Sequence, residues 1–166
     1  MFRRTFLIAA LIAGLVPAAI AQLSSTDKTF VMKAAQSNNY EIQAAKLAEQ
    51  NSSNDAYKSY AEMIISDHTK AGDQMKSAVA QADPSLQPTT GVSAKAQQHL
   101  NALKAAGNNF DNTYRDQMIA THKAALKLVQ NYVAQPSANG EIKQVAQGLI
   151  PVFQKHLTEA KKLPKQ

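Results

Sequence analysis

The stretch FVMKAAQSNNYEIQAAKLAEQNSSNDAYKSYAEMIISDHTKAGDQM, from Phe30 to Met75, decides the fold. It holds two segments of helical periodicity joined by the polar link Asn51-Ser52-Ser53-Asn54. At about 100° per residue, Phe30, Val31, Ala34, Ala35, Ile42, Ala44, Ala45 and Ala48 fall on one face of the first segment. Asn38 and Glu41 lie within that face. In the second segment Tyr57, Tyr60, Ala61, Ile64, Ile65, Ala71, Met75 and Val79 share a face, and His68 sits near its middle. Helix pairs of this kind bury their apolar faces against one another. A polar group on such a face loses hydration and needs a partner inside.

Working outward, Asp83-Pro84 ends the second helix near residue 82, and DPSLQPTTGV (83–92) reads as an extended loop. A short helix is expected over 93–105, broken at Gly107. A third long helix follows over 108–134. Its apolar face carries Phe110, Met118, Leu126 and Val129, with Asp111, Tyr114 and His122 among them. Pro136 stops it. The fourth long helix covers 139–162, with His156 on the face formed by Ile142, Leu149 and Phe153. Pro151 cannot donate to the carbonyl of Gln147, so a kink or restart is expected there. Upstream, 22–29 is a polar lead-in with N-cap candidates at Ser24, Ser25 and Thr26. Residues 1–21 read as a cleaved secretory signal peptide, with Arg3-Arg4 before an apolar run and Ala19-Ile20-Ala21 before the cut.

The expected fold is therefore all-α, a four-helix bundle over residues 30–163 with a long loop plus short helix between the second and third long helices. A connection of that length allows up-down-down-up order as in ferritin-like folds, and a short link would give up-down-up-down.

Composition removes several function classes. The chain has 166 residues and no cysteine, so disulfides, thiolate metal sites and cysteine nucleophiles are excluded. The net charge is +6, and +4 without Arg3 and Arg4, spread over many lysines. This is a solvated basic surface with no concentrated patch for nucleic acid. Beyond the signal segment no stretch could span a membrane as a helix. No Gly-rich phosphate loop, H-E-x-x-H motif or nucleophile triad is present, so no enzyme is expected on motif grounds.

The chemistry-bearing set is Glu41, His68, Asp111, His122 and His156, drawn from all four long helices. In the crossover order, His68 and His122 lie at similar depth, and Glu41 and His156 roughly 8 Å nearer one end, at 1.5 Å per residue. A polar column or two adjacent pairs would result. Two readings stand. The groups are structural carboxylate–imidazole pairs, which would raise the histidine pKa values and lower those of the acids. Alternatively they bind a divalent metal: iron, manganese, zinc or copper. The Glu-x-x-His pattern of di-iron bundles is missing, since Ile65, Ile119 and Phe153 stand three residues before the histidines. His99, on the short helix, is expected at the surface. The tyrosines Tyr57, Tyr60, Tyr114 and Tyr132 could satisfy buried acids.

The segments FVMKAAQSNNYEIQAAKLA, YAEMIISDHTKAGDQM, NNFDNTYRDQMIATHKAALKL and LIPVFQKHLTEAKKL resemble a bacterial exported family of ferritin-like helical bundles. It is a domain-of-unknown-function family whose members are often labelled outer-membrane proteins. The resemblance implies a ferritin-like fold and export, with recurring polar positions at Glu41, Asp67, His68, Asp111, Tyr114, His122 and His156. It supplies no activity. The leading expectation is a non-enzymatic periplasmic protein with an envelope or stress accessory role, peripheral to the outer membrane at most. The alternatives are a periplasmic metal binder and a module that docks on envelope proteins or on itself.

Overall fold

The computed structural model describes residues 22–165. The signal-peptide reading falls on residues outside that range. The described chain is all-helical: α1 (Ser25–Asn51), α2 (Asp55–Ala82), α3 (Ala94–Ala105), α4 (Phe110–Val133) and α5 (Gly140–Lys162). A single 3-10 turn, Gly107–Asn109, precedes α4.

α1 begins at Ser25, directly after Ser24, one of the three N-cap candidates in the lead-in. Ser24 and Asp27 form a reciprocal cap, in which each side chain accepts the other residue's backbone N–H. The lead-in is therefore mostly the first turn of α1. Asn54, Ser93 and Asn139 cap α2, α3 and α5 in the simpler way, one side-chain oxygen on an early N–H. Gly107 adopts a φ of 52°, a left-handed conformation that lets α3 stop and α4 start within a few residues. α5 runs through Pro151 without restarting. Pro151 and Gln147 are both exposed, so the carbonyl that Pro151 leaves without a donor faces solvent.

The long helices form a ring in which α1 packs on α2 and α4, and α5 packs on α2 and α4. Tyr132, late in α4, donates to Asp27, early in α1, at 2.6 Å, and Tyr40 meets Gln117 at 2.7 Å. Hence α1 and α4 are antiparallel. Tyr57 donates to the carbonyl of Pro164 and Asp67 meets His156, so α2 and α5 are antiparallel too. The order is up-down-down-up. The crossover is fixed to α1 by Asn39, whose Nδ2 donates to the carbonyls of Thr89 and Gly91 at 2.9 and 3.1 Å. α3 packs beside α1 and α4. His99 is half-buried there, its ring 6.1 Å from that of Tyr40, and not on the open surface as expected.

The apolar interior is divided into two blocks. One gathers Tyr57, Tyr60, Ile64, Leu103, Tyr114 and Met118. The other gathers Phe30, Val31, Met75, Val79, Ile142 and Phe153, and includes Phe30 stacked on Tyr132 at 3.9 Å. Between the blocks lies a layer of buried polar side chains.

Candidate metal centre

That layer is Glu41 from α1, His68 from α2, His122 from α4 and His156 from α5, none more than 1% exposed. Glu41 Oε2 lies 3.0 Å from His68 Nε2 and 3.1 Å from His122 Nε2. His122 Nε2 lies 3.2 Å from His156 Nδ1. One nitrogen from each histidine falls within 4.8 Å of the others. The depth difference expected from counting residues is closed by side-chain direction. Each Cα–Cβ bond tilts toward its own helix N-terminus. In this helix order Glu41 and His156 lean away from the α1–α2 turn, while His68 and His122 lean toward it. The four therefore meet in one layer instead of forming a column.

The outer ring nitrogens are held by acceptors. His122 Nδ1 donates to the carbonyl of Met118 at 2.9 Å. His156 Nε2 donates to Asp67 Oδ2 at 2.9 Å, and His68 Nδ1 to Asn38 Oδ1 at 3.0 Å. In a neutral imidazole a donor on one nitrogen leaves a lone pair on the other. The inner nitrogens of all three rings thus turn lone pairs toward one another and toward a carboxylate. Glu41 Oε2 and His68 Nε2, although 3.0 Å apart, are not aligned as a hydrogen bond, and neither has another hydrogen-bond partner. Ser37 Oγ donates to the other oxygen, Glu41 Oε1, at 2.9 Å.

Protonation follows burial. Burial would raise the Glu41 pKa, but the imidazoles of His68 and His122 outweigh it and hold the carboxyl at about 2. For His122 burial dominates and lowers the pKa, against the pull of Glu41. Burial likewise lowers His156, to about 4, despite the hydrogen bond it donates to Asp67. The expected upward shift fails for these two rings because desolvation of the cation exceeds what the carboxylates return. At neutral pH Glu41 is charged while His122 and His156 are neutral. The inner nitrogens of His122 and His156 and the Glu41 carboxylate then face one another as acceptors, a set that suits a cation.

Not every sequence candidate joins the cluster. Asp111 is buried in the first turn of α4, eleven residues before His122. Its charge acts on the Tyr57 hydroxyl, whose pKa is raised by burial first and by Asp111 second. At 1.5 Å per residue that is roughly 16 Å from the histidine layer, so Asp111 is not one of the converging groups. Asp67 and Asn38 belong to the site as holders of His156 and His68. Tyr114 is fully buried in the neighbouring apolar block, its ring 6.1 Å from that of Tyr60, and its hydroxyl makes no hydrogen bond. Of the tyrosines, Tyr132 is the one that satisfies a buried acid, Asp27. Ser37 is missed by the sequence reading, although its place four residues before Glu41 is a visible signal.

Two openings approach the layer. A cleft of about 360 Å³ between α1, α2 and the crossover includes Glu41, His68, Ser37 and Asn38 in its lining. A groove of about 570 Å³ between α2 and α5 is lined by Asp67, Lys70, Gly148 and Val152 among others.

The family described as "Domain of unknown function (DUF4142)" matches residues 14–163, nearly the whole chain. The chain belongs to this family. No curated protein matches it. A solved structure described as "CopM in the Cu(I)-bound form" is similar, with 23% sequence identity and a TM-score of 0.69. The match covers 84% of this chain and 95% of that one. At that identity the likeness extends to the fold. Among the described residues, no helix of this DUF4142 protein is long and apolar enough to cross a membrane.

Proposed function

We propose that this protein is an exported metal-binding protein, built on a ferritin-like four-helix bundle, whose metal site is His68, His122, His156 and Glu41. The observation that carries the reading is the inward convergence of three imidazole nitrogens and one carboxylate oxygen, each ring fixed from behind by an acceptor. Outer hydrogen bonds of this kind set the tautomer and aim of metal-binding histidines. Spacing supports it as well. Ligand atoms about 2.0–2.2 Å from a tetrahedral ion are about 3.3–3.6 Å apart. The three pairs at 3.0, 3.1 and 3.2 Å require small outward movements, and the histidine nitrogens all lie within 4.8 Å of one another.

The donor set is imidazole-rich and borderline, which suits copper and zinc and not magnesium or calcium. Among divalent ions the affinity order places copper first. The Cu(I)-bound state of the similar fold adds support for copper. Export to the periplasm is supported by the charged and apolar character of residues 1–21. The accessory role in the envelope is then ion binding.

The test is metal content. Metal-stripped protein is incubated separately with Cu²⁺, Zn²⁺, Fe²⁺ and Mn²⁺, freed of excess and analysed by mass spectrometry. One equivalent of copper is expected, and none in a His122→Ala variant. Sub-stoichiometric metal with every ion would refute the proposal.

A further inference from the structure

Resting on the metal-binding reading, we propose that the ion reaches the histidines through the cleft between α1 and α2, and that Asn39 controls its opening by holding the crossover. The binding groups are at most 1% exposed, so a ligand on another protein cannot touch them. The ion therefore arrives free or in a small complex and needs a path.

The two openings are not equivalent. The cleft is lined by two of the four binding residues, Glu41 and His68, and by the polar side chains of Ser37 and Asn38 beside them. The groove between α2 and α5 is lined by none of the four. On that side the nearest group is Asp67, and its carboxylate is occupied by His156 at 2.9 Å. An ion in the groove would have to break that contact and would meet the back of the His156 ring. An ion in the cleft has Glu41 and His68 themselves in its wall.

One wall of the cleft is the crossover itself, through Gln87, Pro88, Thr89 and Thr90. This wall belongs to no helix. Its tie to α1 is the Asn39 amide, bonded to the carbonyls of Thr89 and Gly91. Asn39 lines the cleft and its amide is spent on the crossover carbonyls, not on any of the four binding residues, so loosening it changes access without removing a ligand.

Loading is followed by tyrosine fluorescence, since the chain has five tyrosines and no tryptophan. Metal-free protein is mixed with Cu²⁺ supplied as its glycine complex, and release is followed with excess chelator. Ala35 lines the cleft and is half-buried. Ala35→Phe is expected to slow association about tenfold and dissociation by the same factor, leaving Kd unchanged, because one path serves both directions. Asn39→Ala should speed both. Gly148 lines the groove, and a Cβ added there meets nothing within 4 Å, so Gly148→Phe places its ring at the groove and should leave both rates unaltered. Wild-type rates in Ala35→Phe and in Asn39→Ala, or slowed loading in Gly148→Phe, would overturn the route. Failure of the metal reading is seen separately, as wild-type protein that takes up no ion, and the route falls with it.

Discussion

Gly72→Ala should weaken metal binding while leaving the protein close to its normal stability. Gly72 lies in the interior of α2, where alanine is favoured over glycine by about 1 kcal/mol. An added Cβ would stand 3.0 Å from Asn38 Nδ2 and 3.9 Å from Asn38 Cγ. The amide must then retreat by a few tenths of an ångström. Its oxygen accepts from His68 Nδ1 at 3.0 Å, so the same movement stretches that bond toward the limit of useful geometry. Leaving the buried N–H without an acceptor costs about 1–3 kcal/mol, which the helical gain partly offsets. The net effect on folding is therefore about 0–2 kcal/mol of destabilisation. Binding has no such offset. Loss of an outer hydrogen bond to a metal-bound histidine costs about 10–100-fold in affinity. The assay is a copper titration run beside a denaturant melt on the same preparation. Wild-type affinity together with a raised melting temperature would refute the claim that Asn38 aims His68.

His122→Ala should abolish stoichiometric metal and destabilise the metal-free protein by about 2–4 kcal/mol, because it opens a cavity in the core; urea denaturation reads this, and a change under 1 kcal/mol would contradict it. Metal-free protein should lose stability as pH falls below the ordinary histidine value of 6.5 toward about 4. The folded pKa of His156 is lowered, so the unfolded chain takes up protons the folded one does not; a midpoint that is flat or rising across that window would count against a buried neutral ring. Tyr132→Phe removes one donor from Asp27, which keeps the Asn139 and Ser24 donors, and should cost about 1–2 kcal/mol with copper affinity unchanged. Asp27 is pulled up by burial but held below its ordinary value of 3.8 by those hydrogen bonds, so its contribution is present above that value and disappears as pH falls through the folded pKa.

The apolar periodicity of the sequence suffices to place the long helices and to mark Glu41, His68, His122 and His156 as polar intruders on buried faces. Spacing alone cannot bring them together. That depends on the stagger of antiparallel helices and on the tilt of each Cβ toward its own N-terminus, which residue counting ignores. Asp111 meets the same criterion of a polar group on an apolar face, yet lies too far along α4 to join. A helical wheel reports direction around the axis and not position along it. The pKa direction of His122 and His156 is misjudged from pairing alone, because desolvation scales with burial that the sequence does not quantify. Ser24 stands among the three N-cap candidates legible before the apolar run and is the one that caps, but the reciprocal role of Asp27 is not read from the sequence.

The site is divided evenly between two helical hairpins, Glu41 and His68 on the first, His122 and His156 on the second. Neither hairpin holds a complete ligand set. Under the proposed metal reading, capture of an ion and docking of the two halves are one thermodynamic event, each strengthening the other by the same free energy. A chain that has formed only its first hairpin would then lack half of the groups that close around the ion.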